Sequence, residues 1–313
     1  MTVAVDRATP PPPKPDLEPE PKSNFERVLL IVFVTVPFLA LLATVPMAWG
    51  RFLGWSDVVI GLFFYNFAGL GVTVGFHRYF THGSFKANRG LKIVLAIAGS
   101  LSLEMGVIDW VATHRRHHKY SDKEGDPHSP WRFGNDWKAL TKGLLFAHVG
   151  WLFSSERTNR ERYARDLLND KDVKRIHDLF PTMVAISLIL PAVIGGLVTW
   201  SITGALTAFF WASLVRIGLL HHVTWSINSV CHVFGEEHFE VRDKSRNVWW
   251  LAIPSFGESW HNLHHCDPTC ARHGALKGQI DPSARVIQWL EKAGWATDVR
   301  WPNADRLAAK RVA

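Results

Sequence analysis

The sequence predicts an all-α, integral-membrane protein with four transmembrane helices in two hairpins and a helical cap on the cytoplasmic side. Three observations carry that prediction. Four segments, 28 to 49, 57 to 76, 179 to 200 and 204 to 225, are each apolar and long enough to cross a hydrocarbon core of about 30 Å, which takes roughly 20 helical residues. The turns within each pair, Gly50 to Ser56 and Ser201 to Thr203, are short and carry no charge but Arg51. The long stretches from His77 to Asp178 and beyond Trp225 are rich in Lys and Arg instead, which by the positive-inside rule puts both of them, and both termini, in the cytoplasm.

Taken in order, residues 1 to 24 hold Pro10 to Pro13, Pro15, Pro19 and Pro21 among charges and show no apolar period, so they are expected to be a disordered tail. The first apolar run is far longer than a signal-peptide core, and no cleaved secretory signal is expected. Residues 25 to 280 are expected to form one membrane-embedded unit. The apolar stretch Leu91 to Trp110 contains Lys92, Glu104 and Asp109 and is settled by parity: a single crossing would put His77 and His82 on the opposite face from the histidines after it. An interfacial or re-entrant element is therefore predicted there. The segment 281 to 313 reads as a small amphipathic cap, with Asp281 as N-cap, Pro282 as first helical residue, and Val286, Trp289, Leu290 and Ala293 on one face.

Averages conceal this pattern. The 313 residues are 47% hydrophobic with a net charge of +7, a pI near 9.4 and a mean hydropathy of +0.01. The basic residues are dispersed beside apolar spans, as suits an anionic membrane face, and nucleic acid is not an expected partner. Cys231, Cys266 and Cys270 match neither a disulfide framework nor paired zinc-binding CxxC motifs.

Of sixteen histidines, eight fall into three tight groups: His77 and His82; His114, His117 and His118; His261, His264 and His265. The second and third groups have the spacing i, i+3, i+4, which confines three rings to an arc of about 100° on a helix and lets them aim at one point. In the first group the spacing i, i+5 corresponds to roughly 140° on an α-helix, so His77 is expected to end the second span and His82 to reach back from a turn. Asn228 and His232, four apart just past the last span, share a helical face. Nine histidines exceed the four-coordinate capacity of one structural zinc, so two metals are implied. Imidazole suits zinc, copper, iron and nickel alike and does not choose among them.

At these residues the chain resembles the membrane fatty-acid desaturases, and within them the delta-9 branch that contains the stearoyl-CoA desaturases. The resemblance is carried by Gly75-Phe76-His77-Arg78 with His82, by Trp110 through His118, by Asp126-Pro127-His128, by Thr224-Trp225 with Asn228 and His232, and by Gly257-Glu258 ahead of His261 to His265. It implies that residues 25 to 280 are a catalytic domain that inserts a cis double bond, at the delta-9 position, into a saturated acyl chain using O2 and two electrons. It implies two iron ions (Fe2+) held by His77, His82, His114, His117, His118, His232, His261, His264 and His265, with Asn228 holding a metal-bound water. The acyl tunnel it implies has Trp110, Thr224 and Trp225 in its wall, and Tyr65 on the second span is expected to limit its length. Where the animal enzymes have an Arg-Asp pair that contacts coenzyme A, this chain has Ala112 and Thr113, so acyl-CoA is ranked first with glycerolipid-linked chains close behind. No fused cytochrome b5 domain is expected, which leaves the electrons to a separate donor of ferredoxin or flavin-reductase type.

Two rival readings stand beside this one. A membrane hydroxylase would use the same metals to add oxygen rather than remove hydrogen. A non-enzymatic metal-binding or transport protein would need ionisable ligands near the middle of its spans, where only Arg216 stands well inside.

Overall fold

The computed structural model describes residues 15–19 and 22–312. Among them four helices have the length and composition to cross a membrane: Asn24–Leu42, Trp55–Thr81, Phe180–Thr199 and Ile202–His232. Their outer faces carry bare Ile31, Leu39, Leu62, Phe63, Ile189, Leu197 and Leu206. Helices satisfy their own backbone, so such apolar exteriors suit hydrocarbon.

The first span begins four residues before its expected start and ends earlier. Ser23 and Glu26 form a reciprocal capping box that starts the helix at Asn24. It breaks at Ala43, and Thr44–Trp49 make a separate short helix. The second and fourth spans run further than hydropathy alone marks, because both continue past the apolar run to carry histidines. From Gly71 to Thr81 the second span winds as a π-helix. The amide of His82 bonds the carbonyl of His77 at 3.2 Å, an i to i+5 bond. His82 follows in a turn just past Thr81, as expected, but His77 lies inside the π-helix rather than at the end of the span, a winding often found at functional sites.

The ambiguous stretch does not cross. It forms Arg89–Ser100, a 12-residue helix about 18 Å long by its rise, a break with Leu103 at φ 65°, and then the helix Val107–Tyr120. Arg216, buried in the fourth span, donates to the carbonyls of Leu101 at 3.1 Å and Ser187 at 3.0 Å, and so grips the end of the short helix. This charge faces the bundle. The short helix lies close against the second span, where a Cβ on Gly71 would fall 2.1 Å from the amide nitrogen of Gly99.

In the C-terminal helix Pro282–Lys292, Asp281 caps through the amide of Ala284 at 2.9 Å. The buried face is centred on Ser283, Ala284 and Ile287, with Val286 and Leu290 beside it. Trp289, expected inside, is 61% exposed, and Ala293 is exposed as well. The cap and the Ser283–Thr73 hydroxyl contact at 2.8 Å rotate the helix one position from the expected face. A two-residue pairing, Lys86–Ala87 with Ala296–Thr297, ties this segment to the rest.

Most of the expected N-terminal tail, residues 1–14, 20 and 21, lies outside the described residues. Residues 16 to 18 are docked rather than loose: Asp16 accepts from Tyr120 and Tyr163, and Leu17 bridges to Thr158.

Gly71→Val should force the short helix off the second span and cost about 1–3 kcal/mol by overpacking. Thermal unfolding in detergent should show a lower midpoint, whereas Gly90→Ala, whose Cβ meets nothing closer than 3.5 Å, should leave it unchanged.

Candidate metal centre

The long second and fourth spans, the helix Val107–Tyr120 and the short helix His261–Cys266 converge at one end of the bundle. Each delivers imidazoles to it. His77, His82, His114, His118 and His264 form one group, and His117, His232, His261 and His265 form a second; within each, one ring nitrogen per residue lies within 4.8 Å of all the others. The second and third sequence boxes are thus each split between the groups, the first box lies wholly in the first group, and His232 joins the second. In the first group Nε2 of His264 lies 3.0 Å from Nε2 of His77 and 2.9 Å from Nε2 of His118. In the second, Nε2 of His261 lies 3.0 Å from those of His232 and His265.

Carboxylates fix which nitrogen faces inward. His117 Nδ1–H donates to Asp126 at 3.0 Å, His232 Nδ1–H to Asp122 at 2.9 Å, His265 Nδ1–H to Asp243 at 2.7 Å, and His77 Nδ1–H to Glu258. A neutral ring that donates from Nδ1 has only a lone pair on Nε2. In the second group three such lone pairs, from His117, His232 and His265, meet one remaining ring, and His117 Nε2 is buried without a partner. One proton on His261 cannot satisfy them all. A cation can, and histidine clusters held by outer carboxylates are how proteins hold one.

Burial pushes His82, His114, His118, His261 and His264 well below the usual histidine range, and neighbouring imidazoles add to the effect. His265 is pushed down to about 4, again by burial, against the pull of Asp243. These rings are therefore neutral, the form that ligates. Burial alone would raise Asp122, Asp126 and Asp243, but His232, His117 and His265 outweigh it and hold these carboxyls below their ordinary values.

Behind this layer Arg78 is fully buried. It reaches Glu258 at 3.1 Å, the carbonyl of Ala271 at 2.8 Å and Asp281 at 3.0 Å. Asp281 also accepts from the amide of His273 at 2.7 Å. One ion network therefore joins the first histidine box, the third box and the C-terminal cap. Sequence reasoning missed most of this layer. Asp126 and Glu258 stand inside the quoted motifs and could have been read as partners, but Asp122 and Asp243 have no such signal. His273, outside the three boxes, contacts the rings of His77 and His264 with centroids 5.4 and 4.5 Å away.

A narrow cavity of about 70 Å³ runs beside the histidines. Trp110, Thr224, Trp225 and Asn228 line it, together with His77, His114 and His261. Trp110 stacks on His114 with centroids 4.9 Å apart, and its Nε1–H donates to Glu104 at 2.9 Å. Burial pushes Glu104 up to about 7, with the Trp110 and Thr224 hydrogen bonds opposing. Tyr65 is not among the lining residues. Its hydroxyl donates to the carbonyl of Pro254 at 2.8 Å, and Pro254 and Phe256 form that part of the wall. Tyr65 thus meets a residue of the wall rather than the cavity itself.

A family model for fatty acid desaturases matches residues 48–275. The chain belongs to the fatty acid desaturase family, and its members are O2-dependent oxidoreductases of lipid metabolism. It is 37% identical to a hex-5-enoyl-[acyl-carrier protein] acetylenase of Moorena producens, over 90% of this chain and 89% of that one. To an sn-1 stearoyl-lipid 9-desaturase of Synechocystis it is 34% identical over 93% of this chain and 85% of the relative. To delta-9 acyl-lipid desaturase 1 of Arabidopsis thaliana it is 36% identical over 86% and 81%.

Removing the carboxylate behind one ring tests the role of this layer. Asp243→Asn should weaken metal binding about 10–100-fold, read as metal content by mass spectrometry after dialysis against graded chelator. Unchanged retention would mean that Asp243 does not orient His265.

Proposed function

We propose that the chain inserts a cis double bond, at the delta-9 position, into a saturated acyl chain, at a pair of irons held by the nine histidines. The observation that carries this reading is the pairing of two adjoining histidine groups with a narrow apolar cavity that passes them. His77, His82, His114, His118 and His264 would hold one iron. His117, His232, His261 and His265 would hold the other, with Asn228 on a water beside it.

The reaction takes two hydrogens from adjacent methylenes, and these together with O2, two electrons and two protons leave as two waters. When bound, a redox-active metal pair supplies the oxidising power that no side chain has for an unactivated C–H bond. The protein's own work is positioning and exclusion of water. Trp110, fixed between His114 and Glu104, and Thr224, bonded to the same Glu104, would hold one stretch of chain against the centre. Tyr65 acts through Pro254, whose carbonyl it holds. The unit 25–280 would be the catalytic domain, closed from outside by 281–313 through Asp281 and Arg78.

Two relatives carry names that specify lipid-linked chains and one an acyl-carrier protein. Among the expected carriers, acyl-CoA and glycerolipid, this favours the second. Electrons would come from a separate ferredoxin or flavin reductase. With four spans the two ends share a side, read here as cytoplasmic. Single cysteines at Lys123 and Lys310 should both react with an impermeant thiol reagent only after the membrane is opened, and labelling of one from outside would overturn this orientation.

Expressed in a host that requires unsaturated fatty acids, the chain should yield a new monounsaturated acid with its double bond at carbon nine, and His117→Ala should yield none. Gas chromatography with double-bond derivatisation reads this directly. A hydroxy acid in its place would move the reading to a hydroxylase.

A further inference from the structure

Between Arg246 and Glu258 no residue is charged. This stretch follows the fourth span, turns through the short helix Trp249–Leu251 and leads into the third histidine box. Its inner side packs on the bundle. Val248 and Leu251 cluster with Ile227 and Cys231 of the fourth span, and Phe256 with Ala68 of the second and Leu220 of the fourth. The contact is close, for a Cβ on Gly69 would fall 2.2 Å from the Phe256 ring. The outer side is just as apolar but bare: Trp249 is 71% exposed, Trp250 56% and Ile253 57%.

Exposure alone does not distinguish water from lipid. Trp289 is as bare as these residues, yet exposed Arg285 and Lys292 stand one helical turn to either side of it, so its face suits water. No charge accompanies Trp249, Trp250 and Ile253. Their level in the bundle is that of the spans. Phe256 shares its cluster with Met183, in the first turn of the third span. The carbonyl of Pro254 accepts from Tyr65, in the apolar part of the second, at 2.8 Å. The backbone is also prepared for a dry setting. The amides of Ala252, Ser255, Phe256 and Gly257 bond carbonyls of the same stretch at 3.1, 3.0, 3.1 and 2.8 Å. Non-helical chain survives at membrane depth only when its polar groups are satisfied by protein in this way.

We propose that residues 248–256 are an interfacial element seated in the bilayer beside the second and fourth spans, with Trp249, Trp250 and Ile253 in contact with lipid. Pro254, Ser255 and Phe256 of the same element line the narrow cavity, so the bilayer backs that part of its wall. A patch continuous with lipid-facing spans buries its apolar area without a protein partner, and tryptophan is suited to the boundary of hydrocarbon and head groups.

The test places the whole protein in phosphatidylcholine nanodiscs, open to water on both faces, and oxidises it with hydroxyl radicals. Peptide mass spectrometry should find Trp289 and Trp295 oxidised and Trp249, Trp250 and Ile253 spared. A phosphatidylcholine with a diazirine on its acyl chain should form adducts within 249–253 on illumination. Oxidation of Trp249 and Trp250 as ready as that of Trp289, or no lipid adduct in this stretch, would overturn the insertion. The double variant Trp249→Asp, Trp250→Asp should lift the element out of the lipid, so that Phe256 and Tyr65 become oxidised while the rest of the chain keeps its pattern. Should that variant fail to fold, Trp250→Ser should give the same change in part. Phe256 still spared in a folded variant whose 249–253 stretch is oxidised would overturn the support that lipid gives the cavity wall.

Discussion

Everything in this molecule answers to the need to hold nine imidazoles with their lone pairs converging. Neutral nitrogens at about 3 Å repel one another unless a proton or a cation lies between them. Four of the rings have their Nδ1 protons committed to carboxylates, so their Nε2 atoms are left as acceptors. Burial keeps the rest of the cluster unprotonated. Such an arrangement of lone pairs is costly by itself, and a bound cation would offset that cost.

The scaffold follows from this demand. No single helix supplies all the ligands of either group, so two spans run on past their apolar stretches, and the helices Val107–Tyr120 and His261–Cys266 each contribute to both groups. Arg78 locks them together. A guanidinium with no exposure must be matched by charge, and Glu258 and Asp281 supply it from the third box and the C-terminal cap. Because Glu258 also holds His77, the same carboxylate serves the core of the fold and the metal centre.

The substrate side is arranged by the stretch that fails to cross the membrane. Past the break after Ser100, Glu104 and Met105 line the narrow cavity, while Arg216 and Ser187 grip the carbonyl of Leu101 from neighbouring spans. A charge deep among apolar helices is thereby used to shape a path for an apolar chain.

The sequence by itself determined the four spans, the exclusion of a fifth and the three histidine boxes. Apolar length, helical spacing and parity are local or one-dimensional properties, and they survive without coordinates. Helix ends were less legible: a capping box moved the first span, and a single cap rotated Trp289 outward. The first box was judged on an α-helix, which placed His82 in a turn as found but ended the span at His77, whereas a π-helix carries it on to Thr81. Only the tertiary structure decided how the boxes divide into two groups, for His264 and His265 are adjacent in sequence and serve different ones. It alone brought Asp122 and Asp243 to their histidines, since these contacts span 110 and 22 residues and no spacing rule reaches between separate segments.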